Sequence, residues 1–159
     1  MDKNNAYAEG LKLLARRELS IEGVRARLQD REFSDADIEA AIAQLRDTGA
    51  LDDTRVAKAY ARTAVSVKGR GRLRVMRELL QMGIDSGIVA QALGDAFGDV
   101  DERGLIASAL QKKLRGRVRL ASQQEYARLY QYLIRQGFSP AAVLTALRRF
   151  RTRSTADQD

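Results

Sequence analysis

The side chains with the clearest chemical potential in this sequence are arginines and lysines. Residues 67–77 read Val-Lys-Gly-Arg-Gly-Arg-Leu-Arg-Val-Met-Arg and contain no acidic residue. Guanidinium groups donate paired hydrogen bonds to phosphate oxygens, so this segment is typical of a polyanion-binding site. On a helix with about 100° per residue, Arg70, Arg74 and Arg77 fall on one face. We predict that Arg70, Arg74 and Arg77, together with Lys68 and Arg72, contact nucleic acid.

The opposite face of the same helix is apolar. It carries Leu73, Val75, Met76, Leu79, Leu80 and Met82. We expect these side chains to pack into the core. Gly69 and Gly71 would let a partner approach the backbone, and the first N–H groups of the helix would add donors for an anion. The alternative interpretation is a solvated helix face next to a glycine turn.

Two more basic runs follow. The second, which we place in a turn between helices, consists of Lys112, Lys113, Arg115, Arg117 and Arg119. The third consists of Arg148, Arg149, Arg151 and Arg153. The second run is a further predicted nucleic-acid-binding segment. Tyr126, Tyr130 and Tyr132 lie near it, and we prefer packing at the core to stacking on bases for them.

Other chemistries are excluded by residue type. The chain has no histidine and no cysteine, which excludes imidazole and thiolate metal sites and the nucleophiles that depend on them. No Gly-Lys-Ser/Thr sequence occurs, and Arg74 stands where a dinucleotide fingerprint would need its third glycine. We interpret the Asp52-Asp53 pair as helix capping rather than catalysis. We therefore predict a protein that is not an enzyme and holds no cofactor or metal.

The positive charge is unevenly distributed. The net charge is +7, yet residues 1–50 carry eight basic and ten acidic residues, whereas residues 101–159 carry twelve basic and five acidic ones. A basic C-terminal half favours a polyanionic partner, with nucleic acid first. No apolar run is long enough for a membrane span, and the N-terminus lacks the apolar core of a signal peptide. We expect a cytoplasmic protein.

Helices must position these side chains. Apolar residues recur with helical spacing throughout, and sustained period-2 alternation is absent. Ser20, Ser34, Asp52 or Asp53, and Asp85 precede such runs as N-caps. The single proline, Pro140, directly follows Ser139, which is a strong helix start. The sequence predicts about nine helices.

An internal repeat organises the helices. Apolar residues with spacings of 5, 5 and 4 occur three times, at Leu28, Phe33, Ile38 and Ile42, at Leu79, Ile84, Val89 and Leu93, and at Leu133, Phe138, Val143 and Leu147. Gly83 and Gly137 precede the central turn in the second and third copies, as C′ glycines do, whereas the first copy has Glu32 there. We predict an all-α fold, an elongated array of three tandem three-helix repeats. Their bounds are 6–50, 51–98 and 101–150, with a frayed tail at 154–159.

Several segments resemble one protein family. They are residues 15–20 (ARRELS), 49–57 (GALDDTRVA), Lys68-Gly69, 78–85 (ELLQMGID) and 132–139 (YLIRQGFS). In this combination the chain is similar to RecX, the regulator of the bacterial RecA recombinase, over residues 6–150. The family commonly has glycine where Glu32 stands.

The resemblance implies a role in DNA recombination, repair and the SOS response. It implies a non-enzymatic inhibitor that lies in the groove of the RecA–DNA filament and suppresses ATP hydrolysis and strand exchange. From the basic residues we expect phosphate contacts with single- and double-stranded DNA, and from the absence of an exposed heptad seam we expect a monomer. The alternative is a helix-turn-helix transcription regulator, because three-helix units resemble such domains. Arginines spread over several repeats suit phosphate contacts better than base readout.

Overall fold

The computed structural model describes residues 5–150. This part of the chain contains nine α-helices, one short 3₁₀-helix and no β-strand. The bounds are Ala6–Arg16 (α1), Ile21–Asp30 (α2), Asp35–Asp47 (α3), Asp53–Ser66 (α4), Arg72–Gln81 (α5), Ser86–Phe97 (α6), Glu102–Leu114 (α7), Gln123–Gln136 (α8), Pro140–Leu147 (α9) and Arg148–Phe150 (3₁₀). The predicted all-α class is confirmed. None of the helices in residues 5–150 is long and apolar enough to cross a bilayer. The predicted frayed tail, 154–159, lies outside the described residues.

Polar side chains begin the helices where the sequence predicts. Ser20 Oγ accepts a hydrogen bond from the Gly23 N–H at 3.0 Å, and Asp85 accepts one from the Gly87 N–H at 2.9 Å. Ser139 is the N-cap residue before Pro140, but its side chain forms no cap hydrogen bond. Its N–H and hydroxyl donate to the Glu102 carboxylate at 2.7 and 3.1 Å, and the charge of this acceptor strengthens both bonds.

The chain packs as two compact units. Of the described residues, the first comprises 5–61 and 77–95, and the second comprises 62–76 and 96–150. In the first, α1, α2 and α3 enclose a core in which Val24, Leu28 and Leu45 are fully buried. In the second, α7, α8 and α9 bury an equivalent set that includes Leu133 and Phe138. Every residue of the 5-5-4 pattern is buried except Phe33, which is half-buried.

Within the first unit, the start of α2 contacts the turn between α5 and α6. The Ser20 hydroxyl donates to the Met82 carbonyl at 2.7 Å. Gly83, with φ +75°, lies so close to Glu22 that an added Cβ would stand 2.4 Å from the Glu22 Cγ. The turn therefore needs glycine for both backbone conformation and space. We call this the Ser20–Met82 contact.

Within the second unit, the start of α5 contacts the turn between α8 and α9 in an equivalent way. The Gly71 N–H donates to the Gln136 carbonyl at 2.7 Å. Gly137, with φ +100°, lies so close to Arg74 that an added Cβ would stand 2.4 Å from its backbone nitrogen. Ser20 and Gly71, like Met82 and Gln136, occupy equivalent positions in successive repeats. This Gly71–Gln136 contact thus repeats the first one.

Candidate nucleic-acid interface

The first basic segment extends from the link after α4 into α5. Lys68, Arg72 and Arg77 are exposed, whereas Arg70 and Arg74 are half-buried. Gly69 adopts φ +60°, and an added Cβ there would meet no atom within 4 Å. The link therefore turns at a position open to solvent, with exposed cations on either side of Gly71.

The backbone at the start of α5 is bonded to the chain itself. The Gly71 N–H donates to the Gln136 carbonyl, and the Leu73 N–H donates to the Gly137 carbonyl at 3.1 Å. The expectation that Gly71 admits a partner and that these N–H groups bind an anion is therefore wrong. Gly71 lacks a side chain because a Cβ would stand 2.4 Å from the Gly137 carbonyl carbon. These bonds attach the first residues of α5 to the turn between α8 and α9.

The predicted core face of α5 is only partly buried. Val75 and Leu79 are fully buried, and Met82 is half-buried. Leu73, Met76 and Leu80 are exposed, so the expectation that they belong to the core is wrong. The helical spacing places all the apolar residues of α5 on one side of the helix. Neighbouring helices cover only the edge of this side that carries Val75 and Leu79. The i, i+3, i+7 spacing of the three exposed residues was the signal for a second apolar row.

The second basic segment is part helix and part loop. Lys112 and Lys113 belong to the last turn of α7, and Arg115, Arg117 and Arg119 follow in the loop before α8. All five are exposed. We expected a turn throughout, but Ile106, Leu110 and Leu114 continue one buried row and extend the helix through the lysines. Arg115 ends it in the left-handed region, at φ +50°.

Arg117 forms an ion pair within the protein. Its guanidinium donates to the Glu125 carboxylate, which also accepts the Ala121 N–H at 2.5 Å. The Arg117 hydrogen bond, followed by the backbone bond, lowers the pKa of Glu125. Glu125 thereby connects the basic loop to the first turn of α8. Because it also offsets the charge of Arg117, Arg117 is the weakest candidate of this segment for phosphate binding.

Aromatic rings lie beside two of the basic side chains, Lys113 and Arg149, and the Arg149 guanidinium carbon stands 4.6 Å from the centre of the Phe150 ring. The Lys113 ammonium stands 4.3 Å from the centre of the Tyr132 ring, a cation–π geometry. Tyr126, Tyr130 and Tyr132 are half-buried against the core of the second unit, so core packing, the preferred interpretation, is confirmed.

Of the third basic run, Arg148 and Arg149 are exposed in the 3₁₀-helix, and Arg151 and Arg153 lie outside the described residues.

The Asp52-Asp53 pair caps two different helices. The Asp52 carboxylate accepts the N–H groups of Thr54 and Arg55, at 2.9 and 3.3 Å, in the first turn of α4. The Asp53 carboxylate is buried and accepts the Ile21 N–H at 2.8 Å, at the start of α2. Burial raises the pKa of Asp53 against the effect of that bond. The capping interpretation is confirmed, with Asp53 serving a helix far away in sequence.

Fold and surface together define an α-helical tandem-repeat protein with exposed basic segments. Models of the RecX first, second and third three-helix domains match residues 6–45, 52–93 and 101–147. The chain belongs to the RecX family, as the sequence resemblance predicts.

Curated relatives agree with this assignment. The regulatory protein RecX of Vibrio parahaemolyticus is 33% identical over 129 residues, which are 81% of each chain. That of Halorhodospira halophila is 31% identical over 149 residues, 94% of this chain and 86% of the relative. That of Geobacillus kaustophilus is 32% identical over 143 residues, but these span only 52% of the longer relative.

Solved structures share the fold. A crystal structure of regulatory protein RecX superposes with a TM-score of 0.71 at 22% identity, over 89% of this chain and 69% of the other. RecX from Lactobacillus salivarius superposes with a TM-score of 0.67 at 20% identity, over 89% of this chain and 92% of the other. The predicted three-repeat helical architecture is therefore confirmed.

Proposed function

We propose that this chain is a non-enzymatic inhibitor of the RecA recombinase. It binds the RecA–DNA filament in its groove, as a cytoplasmic monomer, and suppresses ATP hydrolysis and strand exchange. Family membership supports a regulatory role, and one observation supports the mode of binding. Lys68, Arg72 and Arg77 are exposed in a stretch, residues 54–77, that contains no acidic residue.

Phosphate contact is the chemistry that this segment suits. Each arginine presents a planar fork of donors that fits a phosphate, and a lysine adds a compact positive charge. The backbone bonds from Gly71 and Leu73 hold the start of α5 in place, so less conformational entropy is lost on binding. Contacts on several repeats at once would add avidity without a deep pocket.

The first test follows ATP turnover by RecA on single-stranded DNA. Addition of this protein at substoichiometric amounts is expected to slow turnover. Unchanged turnover would contradict the proposed function.

The second test removes the exposed cations. The triple variant Lys68→Ala, Arg72→Ala and Arg77→Ala is expected to weaken both single-strand binding and inhibition while its helical circular dichroism stays unchanged. If five phosphates of a single strand are neutralised, the logarithm of the association constant K falls with the logarithm of the salt concentration at a slope of about −3.5. Loss of three of these contacts reduces the magnitude of the slope by about 2. The matched control is Lys12→Ala, Arg16→Ala and Arg17→Ala on and after α1, which removes the same charge. Equal effects of both variants would show that only net charge matters.

A further inference from the structure

Helix α5 directs three large aliphatic side chains to solvent. Leu73, Met76 and Leu80 are 44%, 37% and 45% exposed. Their spacing of i, i+3 and i+7 places them in one row about 10 Å long on a single helix face. We call this row the α5 apolar stripe. The same helix already contributes Val75 and Leu79 to the core, so the stripe is additional to what the fold requires.

Such a row differs from ordinary surface hydrophobic residues. The other large exposed apolar side chains in residues 5–150 are single and lie on separate elements: Leu11 on α1, Val67 after α4, Val118 before α8 and Leu144 on α9. Single exposed residues of this kind are common in proteins. Three on one helix face are typical of a surface that binds a protein segment.

Arginines border the stripe on both sides. At about 100° per residue, Arg72 lies next to Met76 at one edge, and Arg77 lies next to Leu73 at the other. Both arginines are exposed. A matching ligand must therefore present apolar side chains at its centre and carboxylates at its edges.

We propose that the α5 apolar stripe docks an acidic amphipathic segment of the RecA protein. Its apolar side chains pack on Leu73, Met76 and Leu80. Its Asp or Glu residues pair with Arg72 and Arg77, in competition with the phosphates that the proposed function assigns to these two arginines. An amphipathic helix with apolar residues three, four and seven apart fits a stripe two turns long. The inference rests on the proposed function, which supplies RecA as the partner.

Two other occupants suit the stripe less well. Bases bind single-strand surfaces chiefly by stacking on aromatic side chains, and the stripe contains no aromatic residue. A second copy of this chain would bring its own arginines against Arg72 and Arg77 in a symmetric pairing, and like charges oppose that contact.

The test compares two sets of serine substitutions. The stripe variant is Leu73→Ser, Met76→Ser and Leu80→Ser. The matched control is Leu11→Ser and Leu144→Ser, whose side chains are 40% and 43% exposed. Binding to purified RecA without DNA, and separately to bare single-stranded DNA, is measured by fluorescence anisotropy. The stripe variant is expected to bind RecA at least about tenfold more weakly and DNA as wild type does, whereas the control keeps both affinities.

Each contrary result identifies what fails. A stripe variant that binds RecA as tightly as wild type overturns the inference and leaves the proposed function intact. So does a wild-type protein that slows ATP turnover on DNA but does not bind RecA alone. Loss of DNA affinity would make nucleic acid the occupant, and a wild-type dimer abolished by the serines would make a second copy the occupant. Either result overturns the inference, whereas unchanged ATP turnover with wild type overturns the proposed function itself.

Discussion

Among individual residues, Glu125 decides how much positive charge the second basic segment presents. Its carboxylate holds Arg117 and the Ala121 N–H. Lys112, Lys113, Arg115 and Arg119 remain exposed around this pair. The segment is therefore cationic but contains its own counter-charge.

Glu125→Gln is expected to strengthen binding to single-stranded DNA. Glutamine can still accept the Ala121 N–H, but it releases the charge of Arg117 for a phosphate. The slope of log K against log salt should steepen by about 0.7. A salt titration by fluorescence anisotropy measures both effects. The matched control is Glu9→Gln, which breaks the Arg31–Glu9 pair in the first repeat; an equal gain in this control would contradict a local role for Glu125.

Asp53 is expected to make stability depend on pH. Burial raises the pKa of its carboxyl group, so the folded protein holds this proton more tightly than the unfolded chain does. The contribution of Asp53 to stability is then greatest at low pH and falls as pH rises through its unfolded and folded pKa values. Asp53→Asn keeps an acceptor for the Ile21 N–H and removes this fall, whereas Asp53→Ala loses the cap and about 1 kcal/mol.

Urea unfolding between about pH 4 and pH 7 tests this expectation, since an ordinary aspartate titrates near the lower limit. The free energy of unfolding of wild type should decline with pH relative to that of Asp53→Asn. Parallel profiles for the two proteins would contradict it.

Among the elements, α5 depends on a turn that is distant in sequence. Its first residues bond to the carbonyls of Gln136 and Gly137. The chain thus sets the start of its basic helix by a backbone contact rather than by a side-chain cap. A substitution in the α8–α9 turn should therefore disturb the start of α5, which carries part of the first basic segment.

Gly137→Ala is expected to destabilise the protein by about 3 kcal/mol. The added Cβ would meet the Arg74 backbone at 2.4 Å and occupy a left-handed conformation. Gly69→Ala is the matched control, because Gly69 is also left-handed but has open space, so only the conformational cost of about 1 kcal/mol remains. Chemical denaturation compares the two, and equal losses would contradict the role of the close approach.

The sequence predicts the elements better than their contacts. Ser20, Ser34 and Asp85 begin helices as expected, because capping is decided within three residues of the chain. The partner of Gly71 lies 65 residues away in sequence, and no local pattern identifies it. For the same reason the sequence wrongly assigned Leu73, Met76 and Leu80 to the core. Periodicity identifies the faces of a helix, but neighbouring elements determine which face is covered.

At the scale of the whole molecule, one position distinguishes the first repeat from the others. Gly83 and Gly137 stand where the start of a preceding repeat's helix packs against the turn. Glu32 occupies the equivalent position in the first repeat, with φ +63° and an exposed side chain. The contact between repeats therefore requires glycine at Gly83 and Gly137. The turn at Glu32 faces solvent, so a side chain is accommodated there.

This difference predicts opposite effects of two substitutions. Glu32→Gly relieves a left-handed non-glycine residue and is expected to leave stability equal or raise it by about 1 kcal/mol. Gly83→Ala places a Cβ 2.4 Å from the Glu22 Cγ and 2.7 Å from its Cβ, for an expected loss of about 3 kcal/mol. Thermal unfolding of both variants checks the pair, and similar losses would contradict the assignment.

The turn glycine also bears on how such a protein grows by gene duplication. A copy of the second or third unit inserted between two existing ones arrives with a glycine turn that accepts its predecessor, and its own middle helix meets the glycine turn of its successor. A unit placed ahead of the first meets the glutamate side chain instead. Lengthening this chain at its front would need a codon change at residue 32, whereas internal insertion needs none.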